Sequence, residues 1–177
     1  TNQLAGLTTT AVQALTTEQV SSLTTTQVAG LSTTTVKALT TDQIVALTTD
    51  QVQNLTTAGM AALSTTQVQA IETQDIAALK TSQLAGLATA TVQALSTGQV
   101  QALTTTQVSN LATGTIAALK TDQIAALTTE QVTVIGTGAL AALKTSQVQA
   151  LQTDDLILLK TNQLAGLTTT AVQALTT

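Results

Sequence analysis

The side chains that most often carry catalysis are scarce in this 177-residue sequence, which contains no His and no Cys. Ser and Thr are abundant, but a nucleophilic hydroxyl needs an adjacent base to accept its proton. The densest acidic spot is Asp154–Asp155, followed by Glu72 with Asp75. A calcium loop requires several alternating oxygen ligands and usually Gly turns, which neither spot supplies. The sequence therefore predicts no catalytic residue, no metal ligand and no bound cofactor.

Threonine is the polar side chain that recurs at a fixed spacing, at every eighth position from Thr1 to Thr177. On a flat face built from strands, such a ladder is able to order water and bind ice. A threonine is also a good N-cap, because its hydroxyl accepts a hydrogen bond from an orphaned N–H of a helix start. We assign this capping role to the threonine that opens each octad, represented by Thr9, Thr17, Thr25, Thr33, Thr41, Thr49, Thr121 and Thr129.

These threonines belong to an octapeptide, Thr-x-Gln-Val-x-Ala-Leu-Thr, that fills residues 1–177 as 22 repeats. Numbered from the threonine, position 4 is always aliphatic or Met, and position 7 is always Leu or Ile. Such repetition indicates a single continuous array in which each unit packs on its neighbours. Residues 161–177 repeat residues 1–17 letter for letter, so we expect a fragment of a longer array. The predicted core includes Val12, Leu15, Val20, Leu23, Ile124 and Leu127.

The spacing of positions 4 and 7 excludes the two simplest structures. Over eight residues a continuous α-helix advances about 800°, so the apolar stripe would drift by about 80° per octad. In a continuous strand, Val12 and Leu15 would point to opposite faces. Two solutions remain: one very short helix in each octad with a bend between octads, or a β-solenoid that turns a corner within each octad.

The distribution of charge favours the helix. Six of the nine acidic residues lie at position 2, just after the threonine, and four of the five lysines lie at position 8, just after the leucine. Acid at the start and base at the end of a helix matches the helix dipole, whereas a strand has no comparable dipole. Small residues at position 6 would let neighbouring helices approach closely. We therefore predict an all-α solenoid, a superhelix of very short helices with one helix per octad, and keep the β-solenoid as the alternative.

The composition also limits the partners. The net charge is −4, with five Lys and no basic cluster, so nucleic-acid binding is not expected. The longest apolar run, residues 156–159, is far too short to span a bilayer, so membrane insertion is not expected either. The expected partners are neighbouring repeats of the same longer chain, with lateral self-association between chains as a second prediction.

The run KTDQIAALTTEQV at residues 120–132 resembles repeat tracts of very large bacterial surface and secreted proteins. Those tracts repeat Leu-Thr-Thr-x-Gln-Val/Ile-x-Ala-Leu and are described as adhesin-like or haem-utilisation proteins. A haem role does not carry over, because Met60 is the one conceivable axial ligand. The resemblance implies an extracellular or cell-surface location and a non-enzymatic stalk, spacer or fibre segment. The alternative is a binding module, either an adhesin surface or an ice-binding face.

Overall fold

A computed structural model describes residues 8–173 and residue 175. Each octad in this range contains one helix of four to six residues, which starts at the first residue of the octad. The described residues contain no strand. The prediction of an all-α fold with one very short helix per octad is thereby confirmed, and the β-solenoid alternative is wrong.

The chain divides into two compact units, Thr1–Ala94 and Leu95–Thr177. The helices of the first unit are α1 (Thr9–Gln13), α2 (Thr17–Ser21), α3 (Thr25–Ala29), α4 (Thr33–Ala38), α5 (Thr41–Val45), α6 (Thr49–Asn54), α7 (Thr57–Ala62), α8 (Thr65–Gln69), α9 (Thr73–Ala78), α10 (Thr81–Ala85) and α11 (Thr89–Val92). Those of the second unit are α12 (Thr97–Ala102), α13 (Thr105–Ser109), α14 (Thr113–Ala118), α15 (Thr121–Ala125), α16 (Thr129–Thr133), α17 (Thr137–Ala141), α18 (Thr145–Gln149), α19 (Thr153–Leu158), α20 (Thr161–Gly166) and α21 (Thr169–Gln173). That residues 1–177 form one continuous array stays a prediction.

Extended residues form the corner between successive helices, at position 8 throughout and also at position 7 where that residue is the C-cap. At the corner between α6 and α7, φ and ψ are −59° and 134° for Leu55, and −66° and 157° for Thr56. These values are close to polyproline II. The Leu55 N–H donates to the Val52 carbonyl at 3.2 Å, which closes the helix with one tight final turn. No described residue other than glycine has a positive φ, and no described glycine has one either. The corners therefore need no special residue type.

Within each unit, every helix packs against the third helix along the chain. Three octads of eight residues, 24 residues in all, therefore complete one turn. The small residue at position 6 permits this packing. A Cβ added to Gly86 in the octad of α10 would lie 2.7 Å from Thr57 Cγ2 in α7, and one added to Gly166 in α20 would lie 3.1 Å from the Thr137 carbonyl oxygen in α17.

The aliphatic side chains of positions 4 and 7 form the core of each unit. Four of the predicted core residues have exposed fractions of 0 to 5%: Val12, Val20, Ile124 and Leu127. The other two, Leu15 and Leu23, are half-buried and lie in the first turn that the structure describes. Met60 takes position 4 in α7 and is fully buried. It serves there as a flexible apolar side chain that fills the core.

The helices begin one residue earlier in the octad than the predicted caps require. The threonine at position 1 is the first helical residue, so the cap assignment is wrong for Thr9, Thr17, Thr25, Thr33, Thr41, Thr49, Thr121 and Thr129. The residue before each of them is the cap, as in Thr16, whose Oγ1 accepts from the Gln19 N–H at 3.1 Å. A capping side chain reaches the N–H two or three residues ahead. A side chain at position 8 is three residues before position 3 of the next octad, so it can accept a hydrogen bond from the N–H of that residue.

The lysines at position 8 consequently lie at helix starts. Lys80, Lys120, Lys144 and Lys160 each take the cap position of the following helix. The prediction that they complement the C-terminal end of a helix dipole is therefore wrong, because a cation at a helix start opposes the dipole. The acids at position 2 do lie in the first turn, as Asp42 and Asp122 show.

Candidate functional site

The polar side chains that the structure buries lie mainly at position 3 of the octad, beside the corner where each helix begins. Gln occupies this position in 13 of the 22 octads. Ten of these glutamines have exposed fractions of 1 to 4%: Gln43, Gln51, Gln67, Gln83, Gln99, Gln107, Gln123, Gln131, Gln147 and Gln163. We call these ten residues the corner glutamines. An uncharged amide buried this deeply must find hydrogen-bond partners for both its oxygen and its nitrogen.

The amide oxygen caps the helix to which the glutamine belongs. In α16, Gln131 Oε1 accepts from the Thr128 N–H at 2.8 Å, and Thr128 Oγ1 accepts from the Gln131 N–H at 3.3 Å. This pair is a reciprocal capping box. At the start of α15 the cap is Lys120, whose ammonium accepts no hydrogen bond. Gln123 Oε1 nevertheless accepts from the Lys120 N–H at 2.8 Å. The corner glutamine therefore caps the helix start even where the residue at the cap cannot.

The amide nitrogen of the same glutamine reaches a corner in the preceding turn. Gln131 Nε2 donates to the carbonyl of Leu103 at 2.6 Å and to that of Val100 at 3.0 Å. Val100 lies in the last turn of α12 and Leu103 just beyond its end, where intrahelical partners run out. One side chain thus caps the beginning of one helix and the end of another.

The same bonds recur in the first unit. Gln43 Nε2 donates to the carbonyls of Val12 and Leu15, both at 2.8 Å. The separations in sequence are 31 and 28 residues, as they are for Gln131. Among the described residues, no buried side-chain nitrogen or oxygen lacks a hydrogen-bond partner. The corner glutamines therefore hold successive turns in one fixed register.

Two octads have a buried aspartate where the corner glutamine would lie. Asp75 Oδ1 accepts from Thr49 Oγ1 at 2.6 Å, and Asp155 Oδ1 accepts from Thr129 Oγ1 at 2.8 Å. Both aspartates are 2% exposed. An ionised carboxylate has no proton to donate, so it cannot bond the corner carbonyls as an amide does. A hydrogen bond from the hydroxyl of a position 1 threonine in the preceding turn therefore connects the two turns at these octads.

Burial raises the pKa of the Asp75 carboxyl above its ordinary value of 3.8. The hydrogen bond from Thr49 works in the opposite direction and lowers this pKa, while the negative charge of Glu72 raises it. Desolvation is the largest of the three effects. The proton of Asp75 is therefore held more tightly in the folded chain than in the unfolded chain.

The acidic residues for which the sequence predicted no calcium site lie in two different environments. Asp75 and Asp155 are buried against threonine hydroxyls, whereas Glu72 and Asp154 are exposed. Within the described ranges, no group of three or more acidic side chains is placed to hold a metal ion. The carboxylates at positions 75 and 155 act in the contacts between turns.

The threonines of position 1 lie at the corners of a helical array. In the part of the chain that the structure describes they are exposed, apart from a few half-buried ones such as Thr49 and Thr129. The ice-binding alternative relied mainly on strands that the described residues do not form. The adhesin alternative stays a prediction.

The role of the corner glutamines was not predicted from the sequence. The signal was present, because a Thr or Ser at position 8 is followed three residues later by Gln, as in Thr16 and Gln19. This spacing is that of a capping box. It would also have placed the cap at position 8.

A family model described as the ALTTAQ repeat matches residues 1–33, 25–57, 68–105 and 76–113. Its six letters span the corner and the corner glutamine, as in the segment ALTTEQ at residues 126–131. Among curated proteins, none matches the chain. No helix within the described residues is both long enough and apolar enough to cross a membrane.

Replacing Gln131 by Ala should lower the free energy of unfolding by about 2 to 6 kcal/mol, because two buried polar groups are left unpaired and each costs about 1 to 3 kcal/mol. The variant Gln131→Ala leaves the Thr128 N–H and the Leu103 carbonyl without the amide. The matched control is Gln101→Ala, an exposed glutamine that should change stability by less than about 0.5 kcal/mol. Urea denaturation followed by far-UV circular dichroism measures both. Equal losses in the two variants would contradict a role for the buried amide.

Replacing Asp75 by Asn should change how stability depends on pH. Because the pKa of Asp75 is raised in the folded chain, its contribution to stability is complete below about pH 3.8 and is lost as the pH rises through the raised pKa. We expect Asp75→Asn to be more stable than the natural chain at pH 7, with a gain that shrinks toward pH 4. Thermal unfolding across this range tests it, with the exposed Asp50→Asn as control. A gain that does not vary with pH would rule the explanation out.

Proposed function

The chain belongs to the ALTTAQ repeat family, and we propose that it acts as a stalk, spacer or fibre segment of a large bacterial cell-surface or secreted protein. Membership in a repeat family makes it a structural repeat region. The observation that carries the finer proposal is the link made by the corner glutamines. Gln43 and Gln131, for example, each join one turn to the preceding turn of the same unit through backbone carbonyls that any turn can offer.

The energetics of the helices support this role. A helix of four to six residues is unstable alone, because nucleation is costly and few hydrogen bonds follow it. Each helix here gains its stability from the core it shares with the third helix along the chain and from the amide links between turns. An array of this kind has stability that is approximately a sum over units and their interfaces. Its length can therefore change without a change in how each turn folds.

The use of the polar side chains supports a non-enzymatic role. The amides of corner glutamines such as Gln43 and Gln131 are engaged at both ends, by an N–H donor and by backbone carbonyls. Asp75 and Asp155 are buried and accept from threonine hydroxyls. These groups have their hydrogen-bonding capacity committed to the fold, which is what a structural segment requires.

We propose further repeats of the same chain as the partners, since the contacts between turns use features present throughout the sequence. The proposed location is extracellular or at the cell surface, and it follows from the resemblance to surface-protein repeat tracts. Lateral self-association between chains stays a second prediction.

Deleting one complete turn should leave the remaining chain folded. Removing residues 41–64 takes out three octads and brings Gln67 to the sequence separation from Val12 and Leu15 that Gln43 now has. We expect the helical signal per residue in far-UV circular dichroism to be unchanged. The control deletion, residues 41–60, removes two and a half octads and shifts positions 3, 4 and 7 out of register, so it should lose helical signal. Similar losses in both deletions would contradict a repeating structural unit.

The proposed location is tested on cells that produce the protein. An antibody raised against the chain should label intact cells as strongly as permeabilised ones, because a surface stalk is accessible without opening the envelope. An antibody against a cytoplasmic enzyme, which should label permeabilised cells alone, provides the control. Labelling that depends on permeabilisation would refute the surface location.

A further inference from the structure

One corner of the second unit lacks the side-chain bonds that hold its other corners. This corner, residues 111–115, joins α13 to α14, and we call it the open corner. A complete corner has three such bonds: a hydroxyl at the cap, a glutamine oxygen that accepts from the cap N–H, and a glutamine nitrogen from the next turn. The preceding corner in this unit has all three bonds. Thr104 Oγ1 accepts from the Gln107 N–H, Gln107 Oε1 accepts from the Thr104 N–H, and Gln131 Nε2 donates to the Leu103 carbonyl.

All three bonds are missing at the open corner. The cap is Ala112, which has no side-chain acceptor. Position 3 of α14 is Thr115, so no amide oxygen receives the Ala112 N–H. The residue that lies 28 positions beyond Leu111 is Ala139, so no amide nitrogen reaches the Leu111 carbonyl. The Thr115 N–H donates to the Ala112 carbonyl at 2.9 Å, a bond within the local turn.

Every other described corner of this unit keeps at least one of the three bonds. Where the cap side chain cannot accept a hydrogen bond, a glutamine still bonds the corner. The cap N–H groups of Lys120, Lys144 and Lys160 donate to the amide oxygens of Gln123, Gln147 and Gln163. At the Gly136 corner, Gln163 Nε2 donates to the Ile135 carbonyl. The corner at Gln152 keeps the bond from its N–H to Asp155 Oδ2. Those at Ser96, Thr104, Thr128 and Thr168 keep their cap hydroxyls.

The packing at the open corner is also weaker. Leu111 is half-buried, whereas the leucines at the corners on either side, Leu103 and Leu119, are 6% and 5% exposed. A Cβ added to Gly114 would meet no atom within 4 Å apart from those of its chain neighbours and its own helix backbone. A glycine inside a helix also has the largest backbone entropy to lose on folding. Fewer bonds, a partly exposed leucine and a glycine therefore coincide within five residues.

We propose that the second unit opens first at the open corner, by local unfolding of residues 111–115 while the neighbouring turns stay folded. Local opening of this kind begins where buried apolar contacts and protected hydrogen bonds are fewest. Ile116 and Leu119 are 1% and 5% exposed, and they anchor the remainder of α14 in the core. In a spacer under tension, the open corner is where the second unit yields first. The statement about a spacer under tension rests on the proposed function, whereas the local opening of residues 111–115 does not.

Hydrogen–deuterium exchange of the whole chain, read by mass spectrometry, tests the opening. After correction for intrinsic rates, we expect the backbone N–H groups of residues 113–118 to exchange at least about tenfold faster than those of residues 105–110. The double variant Ala112→Thr with Thr115→Gln recreates the pair formed by Thr104 and Gln107. Ala139→Gln supplies the missing amide nitrogen. Combined, these changes should slow exchange in residues 113–118 to the rate of residues 105–110.

The matched control is Gly136→Thr, which adds a cap hydroxyl at a corner that Gln163 already holds. It should leave exchange in residues 113–118 unchanged. Equal exchange of the two segments in the natural chain would overturn the proposal, and so would repaired variants that exchange as fast as the natural chain. Because exchange is measured on the isolated protein, a failure of the surface-labelling experiment would refute the spacer function and leave this result standing.

Discussion

Each corner glutamine carries an amide into the interior, where a polar group without a partner costs about 1 to 3 kcal/mol. The amide has one acceptor and two donors to satisfy. A corner offers what it needs, because the cap N–H is an orphan donor and the carbonyls at the end of a helix are orphan acceptors. In Gln131 the bond to Thr128 and the bond to Leu103 are made by the two ends of one planar group. The distance from one turn to the next is therefore constrained by the length of a glutamine side chain.

This constraint explains why position 8 tolerates such different residues. Thr, Ser, Lys, Ala, Gly, Glu and Gln all occur there among the described helices. Where the cap is Lys80 or Lys144, the oxygen of Gln83 or Gln147 still accepts from the cap N–H. At these corners position 3 supplies the side-chain bond that the cap cannot, whereas α14 and α17 follow the caps Ala112 and Gly136 with neither bond. A lysine can then lie at an unfavourable end of a helix dipole, because a dipole of five or six residues is weak and the ammonium remains in water.

The architecture was predictable from the sequence, and the links between turns were not. The three-residue separation of positions 4 and 7, as in Ile124 and Leu127, places both side chains on one face of a short helix and predicts the core. The acids at position 2 lie in the first turn of a helix, as predicted. The lysines at position 8 also pointed to a helix, but they lie at the start of the next helix and not at the end of their own. The invariance of Thr17 points to a cap one residue too late, whereas the three-residue spacing from Thr16 to Gln19 identifies the observed cap. The partner of Gln131 could not be read at all, because in a chain with a period of eight any preceding corner presents the same sequence.

The backbone of the corners has a further consequence for the history of the chain. A junction of polyproline II residues with negative φ accepts any L-amino acid, so none of the corners that the structure describes depends on a glycine or proline to make its bend. Unequal recombination between two copies of the underlying DNA can then add or remove octads, and the new joint is stereochemically the same as every older one. The identity of residues 1–17 with residues 161–177 is the kind of trace that such exchange leaves. A change in the number of octads is therefore compatible with the backbone geometry of the described corners.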